Sequence, residues 1–251
     1  MSDPVILQAD GLSKQFRGFY AVRNVSLRVQ RNTVHALIGP NGAGKTTCFN
    51  LLSTFLPSSA GSIHFNGRDI TRSDPASVAA SGLVRSFQIS AVFGQMSVLD
   101  NVRVALQRKS GGSFAFWRSA RALDRHNARA RELLAAVGLE PYQASPAADL
   151  SYGRKRALEL ATTLALDPEL ILLDEPIAGL GHEDIAPVTQ LIAQVAKRCT
   201  ILMVEHNMKV VAQLCDRITV LQAGEVLAEG SYDEVSRDPR VIEAYVGGSH
   251  D

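Results

Sequence analysis

The sequence predicts an α/β fold with a mostly parallel sheet, an antiparallel β-rich edge and an inserted helical subdomain. Residues 5–38 partly alternate apolar and polar side chains, as half-buried strands do. Residues 97–166 have a mainly helical pattern, and beyond them short apolar strands alternate with helical stretches. We therefore expect one domain that spans the whole chain of 251 residues. Its α/β core would comprise 1–87 and 168–251, and its helical subdomain 88–167.

The amino-terminal segment predicts strands separated by turns. Apolar residues between Val22 and Val29 partly alternate with polar ones, and Asn24 and Asn32 are turn signals. Residues 62–66, followed by Gly67, predict a further short strand and turn.

The helical block begins at Ser97, a residue type that caps helix N-termini. Val98, Val102 and Leu106 after it fall on one helical face. The strands expected beyond the block are 169–174, 200–204, 217–222 and 225–229, with helices near 183–197 and 207–214. This alternation implies a largely parallel sheet.

The segment GPNGAGKT, from Gly39 to Thr46, matches the phosphate-binding pattern G-x-x-x-x-G-K-[ST]. Its glycines allow a tight curl whose backbone N–H groups converge on phosphate oxygens. Lys45 can reach the β and γ phosphates of a nucleotide, and the Thr46 hydroxyl can bind Mg²⁺. The flanking sequence predicts a strand before the loop and a helix after it, which is the context of a P-loop NTPase core. The expected phosphate-binding residues are Gly39, Pro40, Asn41, Gly42, Ala43, Gly44, Lys45, Thr46 and Thr47.

The run LILLDE, from Leu170 to Glu175, consists of four apolar residues and two carboxylates. Such a run is typical of a buried parallel strand that ends at the ligand edge of an α/β sheet. We expect Asp174 to hold the Mg²⁺ shell and Glu175 to take a proton from the attacking water. In isolation LLDE would indicate a solvated acidic turn, but with the phosphate loop it predicts a hydrolytic nucleotide site.

The composition argues against other classes of protein. Lys and Arg number 26 against 25 Asp and Glu, so a net charge of +1 supplies no basic field for nucleic acid. Three cysteines without a C-x-x-C pair favour neither a disulfide framework nor a zinc site. We expect no signal peptide and no transmembrane segment, because no stretch is sufficiently long and apolar.

The order of these motifs resembles that of the nucleotide-binding subunits of ABC transporters, over nearly the whole chain. The segment LSYGR, from Leu150 to Arg154, stands where that family has its signature sequence, which contacts ATP held by another subunit. The resemblance therefore implies that Ser151, Tyr152 and Gly153 bind a partner's ATP. Ser151 would also cap the helix that follows it.

The same resemblance assigns roles to four further residues. Phe16 would stack on adenine, and Val22 would pack beside the sugar or base. Gln88 would touch Mg²⁺ or the attacking water, and His206 would form a hydrogen bond with the γ-phosphate. Lys45, Glu175 and His206 are then the expected catalytic residues, Thr46, Gln88 and Asp174 are the expected metal site, and ATP and Mg²⁺ are the implied cofactors.

Three positions depart from the family pattern. Tyr152 and Arg154 make the signature segment bulkier and add a cation to its ligand-facing surface. Gly181 replaces an Asp that is common in the loop after the LLDEP strand. This variation, together with the segment 241–247, resembles one branch of the family, the ATPases of branched-chain amino acid and urea-type importers.

The expected function is ATP hydrolysis that powers uptake of branched-chain or other hydrophobic amino acids, or related amides. The implied partners are a second ATPase subunit, identical or different, two transmembrane permease subunits and, indirectly, a solute-binding protein, but no nucleic acid. The chain would be peripheral, at the cytoplasmic face of the inner (plasma) membrane. Three alternatives remain at this point: the ATPase of a lipopolysaccharide exporter, a non-transport ABC ATPase, and a regulatory module that binds ATP without hydrolysis.

Overall fold

The computed structural model of the protein describes residues 4–86, 92–109 and 125–246. The chain forms two compact units, one α/β and one helical. The α/β unit comprises residues 1–85, 169–176 and 193–251. The helical unit comprises residues 86–168 and 177–192. The segment 177–192, which we expected in the core, therefore groups with the helical unit.

The described residues form ten strands. In chain order they are β1 (Val5–Phe16), β2 (Phe19–Gln30), β3 (Val34–Ile38), β4 (Ala60–Phe65), β5 (Arg68–Asp69), β6 (Leu83–Ser86), β7 (Leu170–Asp174), β8 (Thr200–Val204), β9 (Arg217–Gln222) and β10 (Glu225–Gly230). The predicted strands beyond the helical block agree with β7 to β10 to within one residue at each end.

The larger sheet has six strands in the order β10-β9-β3-β8-β7-β6. β3 pairs in parallel with β8 and with β9, and β7 pairs in parallel with β8. At the edge of this sheet, β9 and β10 form an antiparallel hairpin. Every residue of β3, β7 and β8 is buried, as in parallel sheets covered on both faces. The carboxyl ends of these three strands meet at one edge, which is where an α/β sheet binds ligands.

The second sheet is antiparallel, in the order β2-β1-β4-β5, and forms the predicted β-rich edge. Asn24 does not mark a turn, as the sequence predicted, but lies inside β2. Its φ is +50°, its N–H donates to Ser13 Oγ at 2.9 Å, and the β1–β2 register shifts beside it. Asn tolerates this left-handed conformation, so the residue bends a continuing strand rather than ending it.

The helices of the described residues have between 6 and 15 residues. They are α1 (Lys45–Leu52), α2 (Pro75–Ala80), α3 (Val98–Lys109), α4 (Asn127–Ala136), α5 (Tyr152–Leu164), α6 (His182–Ala196), α7 (Met208–Leu214), α8 (Tyr232–Arg237) and α9 (Pro239–Val246). The predicted cap at Ser97 is confirmed, because Ser97 Oγ accepts the N–H of Asp100 at 3.0 Å. None of the helices in these residues combines the length and hydropathy that a membrane span requires.

His35 on β3 is one of the buried polar residues of the α/β unit. Its imidazole has no exposed surface, and Nε2 lies 2.8 Å from the Thr219 hydroxyl on β9. Burial, assisted by the charge of Arg217, lowers the pKa of His35 to about 4. The strand that leads into the phosphate loop therefore contains a neutral histidine at pH 7.

Candidate nucleotide site

The phosphate loop connects the carboxyl end of β3 to the start of α1. Two of its glycines are required by close backbone contacts. A Cβ on Gly39 would lie 2.2 Å from the Leu221 carbonyl oxygen, and one on Gly44 would lie 2.4 Å from that of Ala21. Both residues also have positive φ, at 149° and 94°. The sequence pattern thus folds as a tight curl at the ligand edge of the sheet.

Lys45, the first residue of α1, folds back over its own loop. Its ammonium Nζ donates to the carbonyl oxygens of Gly39 at 2.6 Å and Pro40 at 3.0 Å. Burial lowers the pKa of Lys45, while the negative charge of Glu175 acts in the opposite direction. The ammonium is held at the loop by two carbonyl groups, which phosphate oxygens can replace.

Asp174 ends β7 and is almost fully buried. Its Oδ2 accepts a hydrogen bond from Arg85 Nη2 at 2.7 Å. The same guanidinium reaches Asn50 and Ser53 at the far end of α1. Asp174 was predicted from the sequence, whereas Arg85 was not. The available signal was a cation in the short strand LVRS, because a charge in a buried strand needs a partner.

Glu175 and His206 come together at the same edge of the sheet. Glu175 Oε1 lies 3.9 Å from His206 Nδ1, and the His206 side chain is 62% exposed. Glu175 has a φ of +46°, a left-handed conformation that turns the chain sharply after β7. For a residue other than Gly this conformation costs about 1–2 kcal/mol. Such a strained residue at a ligand edge is typical of a functional site.

Glu205, which the sequence analysis did not single out, fixes the backbone around His206. It is fully buried, and its Oε2 accepts the N–H groups of His206 at 3.0 Å and Asn207 at 3.1 Å. Asn207 in turn caps α7, since its Oδ1 accepts the N–H groups of Lys209 and Val210. The exposed imidazole therefore stands on a rigid turn.

The two residues predicted to bind adenine, Phe16 and Val22, differ in their exposure to solvent. Phe16, at the end of β1, is 46% exposed and has the Lys14 ammonium 5.2 Å from its ring centroid. Val22 has no exposed surface and lies in the hydrophobic core. Of the two side chains, only Phe16 is available to stack on a base.

The signature segment lies in the helical unit at the start of α5. Ser151 caps this helix as predicted, with its Oγ accepting the N–H of Arg154 at 3.4 Å. Gly153 is packed tightly, because a Cβ there would lie 2.6 Å from the Asp184 carboxylate. The Tyr152 hydroxyl donates to the Ala178 carbonyl at 3.4 Å, within the loop that follows the LLDEP strand.

Arg154, which the sequence predicted to add a cation to the signature surface, is exposed. Its guanidinium lies 4.2 Å from the ring centroid of Tyr142, a cation–π contact within the helical unit. The predicted metal residue Gln88 lies outside the described residues.

The oxygen donors present are compatible with Mg²⁺. The Thr46 hydroxyl and the Asp174 carboxylate are hard ligands, and Mg²⁺ usually takes few protein ligands and keeps waters and phosphate oxygens. Within the described part of the chain, no group of three or more His, Cys, Asp or Glu could hold a metal by itself.

Comparison with known families matches two segments of the chain. Residues 22–178 match the model of the ABC transporter family. Residues 225–251 match the model of the branched-chain amino acid ATP-binding cassette transporter. Part of that second segment, at α9, lines an open cleft together with Pro40 to Ala43 of the phosphate loop.

Curated relatives match over nearly the full length. The chain is 39% identical to the high-affinity branched-chain amino acid transport ATP-binding protein LivG of Salmonella typhimurium, over 98% of this chain and 99% of the relative. It is 37% identical to the corresponding protein BraF of Pseudomonas aeruginosa, with the same coverage.

Among solved structures, the ADP conformation of MJ1267, an ATP-binding cassette of an ABC transporter, superposes with a TM-score of 0.84. The two chains are 29% identical, and the match covers 97% of this chain and 99% of the other. The predicted fold class is thereby confirmed. On this evidence the chain belongs to the ATP-binding cassette family of ABC transporters, whose members are ATPases that power transport.

Proposed function

We propose that this chain is the ATP-hydrolysing subunit of an importer for branched-chain or other hydrophobic amino acids. The observation that carries the proposal is the second family match, at residues 225–251, together with full-length relatives named for branched-chain amino acid transport. A lipopolysaccharide exporter or a non-transport ATPase has no comparable support among these matches.

In this proposal the chain works at the cytoplasmic face of the membrane with a second ATPase subunit and two permease subunits. A solute-binding protein delivers the amino acid from the other side. Ser151, Tyr152 and Gly153 face ATP bound to the second subunit, with the N–H groups at the start of α5 directed at its γ-phosphate.

Each residue of the phosphate site has one part in hydrolysis. The loop from Gly39 to Thr47 binds the phosphates through its N–H groups, and Lys45 exchanges its two carbonyl partners for phosphate oxygens. Phe16 stacks on the adenine. Thr46, Asp174 and Gln88 would hold Mg²⁺, which would supply positive charge to the β and γ phosphates.

Glu175 and His206 act on the water and the γ-phosphate. Their separation of 3.9 Å lets the imidazole contact the phosphate while the carboxylate orients the attacking water and takes its proton. The left-handed backbone at Glu175 turns the chain directly after β7, beside the buried Asp174.

The substitution Glu175→Gln tests this chemistry. The amide keeps the shape but removes the base, so turnover should fall by about 10²–10⁴-fold while ATP binding persists. The matched control is Glu169→Gln, just before the opposite end of β7, where the carboxylate pairs with Arg31 at 3.1 Å near the surface. Turnover by Glu175→Gln at the level of the control would contradict the assignment.

The transport assignment needs a separate experiment. The chain is first co-purified with its membrane subunits. ATP hydrolysis is then measured in the presence of the solute-binding protein under three conditions: with leucine, with a polar amino acid, and with lipopolysaccharide. Stimulation by leucine supports the proposed solute class. Stimulation by lipopolysaccharide alone would replace it with an exporter.

A further inference from the structure

Arg85 and Asp174 form an ion pair that is almost completely removed from solvent. Arg85 Nη2 lies 2.7 Å from Asp174 Oδ2, and the two side chains are only 11% and 5% exposed. A carboxylate at this depth is stable as an anion only beside a cation or several donors. Arg85 supplies that cation at the residue that we assign to the metal.

The guanidinium is held in place from several sides. Nη1 donates to Asn50 Oδ1 and, at 3.3 Å, to Ser53 Oγ. The same group lies 5.3 Å from the ring centroid of Phe49 and 5.8 Å from that of Phe55. A planar fork fixed in this way also fixes the carboxylate that it binds.

The pair also connects two elements of the site. Asn50 and Ser53 lie at the end of α1, the helix whose first turn contains Thr46, while Asp174 ends β7. Arg85 therefore connects the two elements that carry Thr46 and Asp174, two of the three proposed metal residues. Its described hydrogen bond to Asp174 is to Oδ2.

We propose that Arg85 is a positioning residue that stands in for the metal cation at Asp174 until the nucleotide brings Mg²⁺. The inference rests on the proposed assignment of Asp174 to the Mg²⁺ site. Without nucleotide, the guanidinium balances the buried carboxylate and keeps the ligand edge in its binding shape. With Mg²⁺ present, a second positive charge shares that carboxylate, and the dependence on Arg85 decreases.

The test is thermal unfolding of the full-length chain with saturating ADP, in Mg²⁺ and in EDTA. In Arg85→Gln the carboxylate has lost its internal cation, so Mg²⁺ should raise the melting temperature more than in the wild type, by roughly 4 °C or more. Arg85→Lys retains the charge and should show a shift close to the wild type. Arg31→Gln, which removes a guanidinium from the surface pair with Glu169, should leave the shift unchanged.

The outcomes separate this inference from the proposed metal site. An equal Mg²⁺ shift in Arg85→Gln and wild type overturns the role of Arg85 while the metal site stands. The absence of any Mg²⁺ shift in the wild type overturns the metal site itself and the inference with it.

A double variant covers the case in which Arg85→Gln does not fold. Arg85→Gln combined with Asp174→Asn lacks both charges, so it should be soluble and melt at a higher temperature than Arg85→Gln. If the double variant does not recover stability, Arg85 acts through packing rather than charge, and the proposal is wrong.

Discussion

The phosphate loop region of the α/β unit and the signature region of the helical unit hold their ligand-facing groups in different ways. Around the loop, Lys45 is bound to carbonyl oxygens, Asp174 is bound to Arg85, and Glu175 lies near His206. In the signature region, Ser151 caps its own helix and Gly153 packs against α6. The ligand-facing groups of the first region are largely charged side chains, whereas Ser151 and Gly153 carry no charge of their own.

This difference has a physical basis. A buried charge without a partner costs several kcal/mol, so a charged site must be satisfied internally before its ligand is bound. An N–H group at a helix start is tolerated when it faces water. The first region should therefore be sensitive to changes in shape and charge, and the second much less so.

The largest loss of stability and of ATP binding is expected from Gly39→Ala. The new Cβ would lie 2.2 Å from the Leu221 carbonyl on β9, a central strand that cannot move aside. We expect a loss of about 3 kcal/mol or more in unfolding free energy and no measurable ATP binding. The measurements are chemical denaturation and the fluorescence of a labelled ATP analogue.

Gly42→Ala is the matched control for that substitution. A Cβ on Gly42 meets no atom within 4 Å, but the residue has a φ of +77°. It should therefore lose only the left-handed strain of about 1–2 kcal/mol. Equal losses of stability in the two variants would show that the close contact with β9 is not the reason for a glycine at residue 39.

Short-range patterns predicted the parts of this site that depend on neighbouring residues. The curl from Gly39 to Gly44 and the strand end at Asp174 are local, so their residue types alone predict them. Arg85 was missed because its partners Asn50 and Asp174 are distant in sequence. The contact of Arg154 with Tyr142, twelve residues earlier on a separate turn, was not predicted either.

The fold was predicted more completely than the site. Short runs of apolar residues identified the strands after residue 168, because buried parallel strands are nearly continuous apolar runs. The same reasoning could not find the role of His35, since only the paired strand β9 places Thr219 against it. The roles of Phe16, Gln88 and His206 rest on resemblance and stay predictions.

A smaller loss of unfolding free energy is expected at acidic pH, and we attribute it to His35 on β3, the strand that leads into the phosphate loop. Its pKa is about 4 in the folded protein against 6.5 as the ordinary value, so below pH 6.5 the unfolded chain binds a proton that the folded chain excludes. Stability that is fully present above pH 6.5 should be lost as the pH falls toward 4. The loss amounts to about 3 kcal/mol from this residue.

Denaturation curves between pH 7.5 and about 4.5 measure that loss. His35→Gln keeps a polar group beside Thr219 but does not titrate, so its stability should fall less with acid than that of the wild type. Thr219→Val removes the hydrogen-bond partner and keeps the imidazole, so it should retain the acid sensitivity. Identical pH profiles for wild type and His35→Gln would show that the buried imidazole is not the acid-sensitive group.

The smallest change in stability is expected from Gly153→Ala in the signature region. The methyl group would lie 2.6 Å from the Asp184 carboxylate, but that carboxylate is the end of a side chain that can rotate away. Alanine also favours the helix by up to about 1 kcal/mol over glycine, so the net change in unfolding free energy should be below about 1 kcal/mol. Adding Asp184→Ala should remove the contact and reveal the helix preference as a gain over Asp184→Ala alone.

Activity should separate from stability in this variant. The added methyl stands beside the N–H groups proposed to face a partner's γ-phosphate, so ATP hydrolysis by the assembled transporter should fall although the isolated chain stays folded. Unfolding and hydrolysis are therefore measured on the same preparations. If Gly153→Ala unfolds the chain even when Asp184 is replaced, the signature region is as intolerant of shape changes as the phosphate loop, and the contrast between the two regions is wrong.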